Sequence, residues 1–167
     1  MQTSTTTVSH VPSIPVQVVS LACFAGATAL VAWLGSLITT TSVDTVWFDQ
    51  LAKPEFYPPP ATFGIVWTIL YIMIAAAGWL AWRSGGGWST TLPWMVQLGL
   101  NLGWTALFFG AQLPVWAFFE IILLLAASIW TTLAFRHHDR PAMALFIPYV
   151  VWICFAAVLN GAIVAMN

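Results

Sequence analysis

The chain has 167 residues, of which 60% are hydrophobic and 5% charged, with a formal net charge of −1. A soluble domain carries about 25% charged side chains, so this composition cannot clothe a water-facing surface and places the chain among one-domain membrane proteins. The low charge and the absence of a basic stripe argue against a nucleic-acid partner.

Residues 1–15, MQTSTTTVSHVPSIP, contain no Lys or Arg. They lack the basic region of a secretory signal and read as a disordered polar tail. The apolar run that follows is too long for a signal core and is expected to stay in the mature chain. Five runs are long enough to cross a bilayer core, which takes about 20 helical residues. They are residues 16–40, 63–82, 92–111, 113–135 and 142–166. Strands do not fit, because a spanning segment must satisfy its own backbone hydrogen bonds. The expected class is an all-α membrane protein, with a long loop at 41–62 between the first two helices.

Punctuation supports this division. Pro93, Pro114 and Pro141 fall at or just before expected helix starts, where a missing N–H costs nothing. Residues 84–87 form a glycine-rich turn. The third and fourth helices are nearly fused, so a tight hairpin is expected at 112–114. Pro148 lies inside the fifth helix and leaves a carbonyl near Ala144 without its partner. Arg83, Arg136 and Arg140 fall in two connections on the N-terminal side, against Lys53 alone on the other, which places the N-terminus in the cytoplasm. There is no inverted repeat of the transporter kind. Cys23 and Cys154 each lie in an apolar run and read as structural thiols, not as a metal or disulfide pair.

The stretch 47–71 is the most unusual in the chain. It places Asp49, Lys53 and Glu55 beside Trp47, Phe48, Phe56 and Tyr57 and then enters an apolar helix. A charged aromatic loop on so apolar a chain reads as a lid over a binding cavity. Eleven tryptophans exceed what interfacial anchoring requires. Trp33, Trp47, Trp82, Trp88, Trp94 and Trp116 fall near expected helix ends or loops and suit an aromatic belt. Trp67, Trp104, Trp130 and Trp152 fall further in. Helical spacing puts Trp67 and Tyr71 on one face, Gln97, Asn101, Trp104 and Phe108 on a second, and Tyr149, Trp152, Ala156 and Asn160 on a third.

Amides within spans normally turn inward. Gln97 and Asn101 beside Trp104 therefore describe an aromatic interior with a few hydrogen-bonding groups, the make-up of a small-molecule site. The competing reading for any one of them is that the amides only join helices and the rings only pack. Convergence of three helices and an aromatic loop favours a site. Glu120, the one carboxylate within a span, reads as a shallow side chain reaching the headgroups, or else as the group a proton-coupled transporter would need. His137 and His138 point apart and belong with Arg136, Asp139 and Arg140 to a solvated turn. No metal set, no Ser-His-Asp or Cys-His set, no paired carboxylates and no phosphate loop is visible.

These residues resemble a known family. Trp47-Phe48-Asp49 with Leu51, Lys53-Pro54, Pro58-Pro59 and Trp67-Thr68-Ile69-Leu70-Tyr71 match the tryptophan-rich sensory proteins and mitochondrial translocator proteins, also called peripheral benzodiazepine receptors. The match continues through Gln97, Asn101, Trp104 and Phe108-Phe109-Gly110 to Pro148-Tyr149, Trp152, Phe155-Ala156 and Leu159-Asn160. The resemblance covers nearly the whole chain after the tail. It implies a five-transmembrane-helix bundle occupying residues 16–167, often a homodimer, with a ligand pocket beneath the first long loop. It implies no required cofactor. It implies a receptor or sensor of porphyrins such as protoporphyrin IX and related flat lipophiles, linked to tetrapyrrole regulation.

The resemblance puts Phe48, Pro58, Trp67, Tyr71, Asn101, Trp104 and Trp152 at the pocket, and Gln97 joins them from its helix face. Trp67 and Trp152 match two tryptophans tied to light-dependent porphyrin breakdown in bacterial relatives, which makes them the candidates for any photochemistry. Transport of porphyrin or another lipophile is a further alternative. Two departures stand out. Ala61 occupies a position where many members have Trp, and the end of the chain, LNGAIVAMN, lacks the Tyr and the basic residue of the animal cholesterol-recognition segment. The expected location is a prokaryotic cell membrane, or the mitochondrial outer membrane if the source is eukaryotic.

Overall fold

A computed structural model describes residues 12–167. Most of the expected polar tail lies outside the described residues. Residues 12–15 of it are described, and the last two, Ile14 and Pro15, are not disordered tail, because helix α1 begins at Ile14 and runs to Val43. The other helices are α2 (Val46–Gln50), α3 (Pro60–Ala81), α4 (Gly87–Thr105), α5 (Pro114–His138) and α6 (Arg140–Met166). Wide helical turns at Trp82–Gly86 and Ala106–Gly110 adjoin the two ends of α4. There is no strand among the described residues. Among the described residues, four helical runs are long and apolar enough to cross a membrane: Ile14–Val43, Pro60–Gly110, Pro114–His138 and Arg140–Met166.

The run Pro60–Gly110 is not straight. Ser84 and Gly85 leave helical geometry, and Gly85 takes φ of +88°, a conformation that favours glycine because it has no Cβ. The chain doubles back there. Trp94 Nε1 donates to the Ile74 carbonyl at 3.0 Å, and Tyr71 Oη donates to Asn101 Oδ1 at 2.7 Å, so α3 and α4 run antiparallel. A second reversal follows α4, where Gln112 has φ of +57° just ahead of Pro114 in the first turn of α5. The expected hairpin at 112–114 is therefore present.

Two boundaries differ from expectation for one physical reason, and others shift by a few residues. Thr39, Thr40, Thr41 and Ser42 return their hydroxyls to carbonyls three or four residues earlier, so these polar side chains are satisfied within α1, which runs past the apolar run. Ser89, Thr90 and Thr91 do the same toward Gly86 and Gly87, so α4 begins earlier than its apolar run. Pro93 consequently lies inside α4 instead of at its start. Trp94, assigned to the interfacial belt, is 3% exposed and sits in the core. The expected loop at 41–62 is shortened at both ends and contains α2, capped by Thr45 Oγ1 accepting from the Phe48 N–H at 3.4 Å. His137 and His138 belong to the last turn of α5, and Asp139 caps α6 by accepting from the Ala142 N–H.

The long helices form a ring in which α1 lies against α3 and α4, α3 against α6, α6 against α5, and α5 against α4. Exposed Trp33, Trp130, Leu123 and Val158 point outward, while Gln97, Asn101, Ser128, Thr131 and Asn160 are buried. Trp130 thus faces away from the interior that its depth suggested. Ser128 and Thr131 satisfy themselves on the Leu124 and Ala127 carbonyls. This inversion, with apolar groups outside and polar groups within, suits a lipid surround. Lipid tails are as apolar as Leu, so helix association rests on close packing and interhelical hydrogen bonds. Gly78 shows the packing. A Cβ there would lie 2.6 Å from Trp94 Nε1 and 2.9 Å from the Phe24 ring.

Candidate functional site

Beneath the 51–59 segment, α3, α4 and α6 bring their aromatic faces together. On α3, Trp67 and Tyr71 stack with centroids 5.2 Å apart and planes inclined by 29°. From α6, Trp152 meets Trp67 edge to face at 6.5 Å and 87°, and Tyr149 meets it at 6.3 Å. Phe63 packs on Trp152 at 5.9 Å, and Tyr57 of the loop packs on Phe63 at 5.4 Å. Phe155 continues the stack from Trp152 to Phe56. Indole and phenol rings favour such tilted contacts because the edge of one ring meets the electron-rich face of another.

Asn101 of α4 ties these rings to the opposite wall. Its Oδ1 accepts from Tyr71, and its Nδ2 donates to Tyr149 Oη at 3.3 Å. Asn101 and Tyr149 are essentially fully buried. One amide thereby satisfies two phenols from two other helices, which fixes the register of α3, α4 and α6 around it. Tyr149 lies on the α6 face identified from spacing, yet it was not among the candidate site residues. The signal for it was its position three residues before Trp152.

Trp104 belongs to a neighbouring group. It stacks on Phe108 at 5.4 Å, and its Nε1 donates to Asn160 Oδ1 at 3.1 Å. Asn160 Nδ2 in turn donates to the Pro114 carbonyl, closing the α4–α5 hairpin onto α6. Phe108 and Phe109 carry this group up to Trp47 and Phe48 of α2. Phe48 lies under Lys53, whose Nζ is 4.2 Å from the ring centroid and donates to the Phe48 carbonyl at 2.6 Å. Asn160, like Tyr149, was visible on its helix face but not included among the site residues.

The remaining candidates are less closely joined. Pro58 is partly buried at the end of the loop segment. Gln97 is fully buried; its Nε2 donates to the Trp94 carbonyl, and its Oε1 has no protein partner. It stands outside the Tyr71–Asn101–Tyr149 set. Glu120 does not reach outward. Both carboxylate oxygens are enclosed without a hydrogen-bond partner, and Oε1 lies 3.4 Å from where a Cβ on Gly103 would stand. Cys23 and Cys154 are free and exposed on the outer surface. No group of three or more metal-ligating side chains occurs among the described residues.

Two open cavities lie to the side of this aromatic interior. A groove of about 490 Å³ runs between the start of α1 and the α3–α4 turn, and a cleft of about 280 Å³ lies under α2 against the ends of α5 and α6. The rings around Trp67 rest on one another, so a flat guest among them requires side chains to move apart.

Apolar helices with an outward lipid-compatible surface and an aromatic, amide-bearing interior define a multi-pass integral membrane protein. The TspO/MBR family model matches residues 24–166, and the chain belongs to that family. It is 38% identical over 157 residues to the tryptophan-rich protein TspO of Chlorobaculum tepidum, covering 90% of this chain and 98% of that one. Identity to the tryptophan-rich protein TspO of Archaeoglobus fulgidus is 39% over 140 residues, 82% of this chain and 90% of the relative. The human translocator protein is 34% identical over 119 residues, 68% of this chain and 70% of its own.

Proposed function

We propose that this protein is a membrane receptor that binds porphyrins of the protoporphyrin IX type, and related flat lipophiles, within a five-span bundle. The observation that carries this reading is the convergence of Trp67, Tyr71 and Trp152 around Asn101, beneath an aromatic loop. Indole and phenol faces suit a large π-system. Asn101 offers hydrogen bonding within the interior, and Lys53 stands at the rim, where a propionate would lie. Phe48, Pro58 and Trp104 would complete the wall on the loop side, with Gln97 supplying an unused acceptor.

The five-span count is supported by length. A straight helix from Pro60 to Gly110 has 51 residues, which at 1.5 Å per residue gives about 76 Å against a core of about 30 Å. Reversal at Gly85 makes two spans of one run. The two basic connections share one end of the bundle, since Ser84 Oγ donates to Asp139 Oδ2 and Ser89 Oγ lies 3.1 Å from His138 Nε2. That end carries Arg83, Arg136 and Arg140 and is read as cytoplasmic. A prokaryotic cell membrane, a homodimeric state and a link to tetrapyrrole regulation belong to the same reading and rest on the family.

The test is a dark titration of the purified protein with protoporphyrin IX, followed by the porphyrin absorbance band. Saturable binding with a shifted band supports the reading, and a linear response equal to that of empty detergent micelles contradicts it.

A second reading is light-dependent breakdown of the bound porphyrin. It is favoured by the contact of Trp67 with both Trp152 and hydrogen-bonded Tyr71, which places three oxidisable rings within 6.5 Å centroid spacings. Illumination should then convert bound porphyrin to a product with a different spectrum, and Trp67→Phe should stop it. Bleaching at the same rate without protein removes this reading.

A further inference from the structure

One side chain ties the 51–59 segment to the end of α6. The Ala52 N–H donates to Asn167 Oδ1 at 2.9 Å, and Asn167 Nδ2 donates back to the Ala52 carbonyl at 3.1 Å, across 115 residues of sequence. The same Nδ2 donates to the Ile163 carbonyl at 2.8 Å. That carbonyl is one of the four that a helix end leaves without an internal partner. Both amide hydrogens and the amide oxygen of Asn167 are thus engaged. The amide orientation follows from Ala52, because the reversed amide would set NH₂ against N–H.

The position of this contact matters. On one side of Ala52, Leu51 is buried in the cluster of Phe108, Ala117, Leu159 and Ile163. On the other, Lys53 folds back on Phe48. Asn167 therefore pins the segment between its apolar plug and its aromatic clamp. Asn167 and Ala52 meet at the exposed rim, where water competes for the same groups and the net strength of such bonds is modest. A contact of this kind can open without unfolding the helices. Beneath it, the cleft lined by Trp47, Gln50, Leu51, Pro114, Val164 and Asn167 leaves the segment room to shift.

We propose that Asn167 is a latch: its side-chain amide, paired with the Ala52 backbone, holds the 51–59 segment shut over the aromatic interior, and its release opens the way in. The latch stands on this geometry alone, while the identity of what passes beneath it rests on the porphyrin reading above.

Amide hydrogen exchange of the full chain, purified in the dark without ligand, tests it. In Asn167→Ala the amides of residues 47–58 should exchange about tenfold faster than in wild type, as expected for loss of a paired contact. Unchanged exchange in α3, α4 and α5 shows that the fold is intact. Asn167→Ser separates the latch from the helix end. A serine hydroxyl can return to the carbonyl four residues earlier, as Ser128 does to Leu124, but is too short to reach Ala52 in the same way. The latch requires fast exchange at 47–58 in both variants, with the last turn of α6 protected in the serine variant. Wild-type exchange at 47–58 in either variant overturns it. In stopped-flow mixing with protoporphyrin IX, both variants should bind and release several-fold faster than wild type. If wild type shows no porphyrin binding, the functional reading fails, and the exchange result alone still decides the latch.

Discussion

Trp67 and Trp152, 85 residues apart in sequence, meet edge to face with ring centroids 6.5 Å apart and planes at 87°. The contact closes the seam between α3 and α6 within the interior proposed above to receive a porphyrin. Two indoles so close and nearly perpendicular form a chiral pair. They should contribute a coupled signal to the circular dichroism spectrum. Protoporphyrin IX should abolish that signal by parting the rings, and Trp67→Phe should abolish it without ligand. Persistence of the signal at saturating porphyrin would place the ligand elsewhere.

Asn101 is the polar hinge of the interior, since it bonds Tyr71 and Tyr149 at once. Asn101→Ala leaves the buried Tyr149 phenol and the partly buried Tyr71 phenol without this partner. The expected loss is about 1–2 kcal/mol, since two interhelical bonds go and each is worth about 0.6 kcal/mol on average and up to about 1.7 within membranes. Thermal unfolding in detergent should show it as a lower midpoint. In a double-mutant cycle, Asn101→Ala and Tyr149→Phe should be less than additive, because each removes the same bond. Full additivity would mean that the amide and the phenol act independently.

Gly78 marks the tightest approach of α3 to its neighbours. With Trp94 Nε1 at 2.6 Å and Phe24 at 2.9 Å from an added Cβ, Gly78→Ala forces both rings to shift. Overpacking of this kind costs about 1–3 kcal/mol. Gly99→Ala, on the same hairpin but with open space at its Cβ, should leave the midpoint nearly unchanged. Equal effects of the two substitutions would contradict the packing described here.

Tyr57, in the loop segment, has its phenol pushed above the ordinary value of 10.0 by burial. Its folded-state pKa is raised, so the neutral phenol is the form that folding favours. Its contribution to stability is fully present below pH 10 and declines as the pH rises through the higher folded-state value. In an alkaline titration, the tyrosinate absorbance lost in Tyr57→Phe should appear above pH 10. A normal titration at Tyr57 would mean that the segment stands open to water.

Much of this arrangement is legible in the sequence, and the gaps have two origins. Apolar runs located all the long helices, because lipid demands them. Helix ends were less legible, since Thr39 to Ser42 and Ser89 to Thr91 are polar by type yet extend helices by bonding back to their own carbonyls. Trp94 was misplaced for that reason alone. Helical spacing correctly grouped Trp67 with Tyr71 and Tyr149 with Trp152. What spacing cannot give is the pairing between faces. That Asn101 serves both tyrosines while Gln97, one turn away, does not is settled by how the helices meet. Likewise, Asn167 carries no signal as a residue type, and only the fold brings it to Ala52.

The most direct measurement is the dark protoporphyrin IX titration of wild type beside the Trp67→Phe, Trp152→Phe double variant. With the porphyrin placed as proposed, each indole face would add about 0.5–1.5 kcal/mol beyond its contact area. The expected result is a Kd raised about tenfold or more in the double variant, with helix content unchanged. An unchanged Kd and an unchanged bound spectrum would contradict the placement of the porphyrin between α3 and α6.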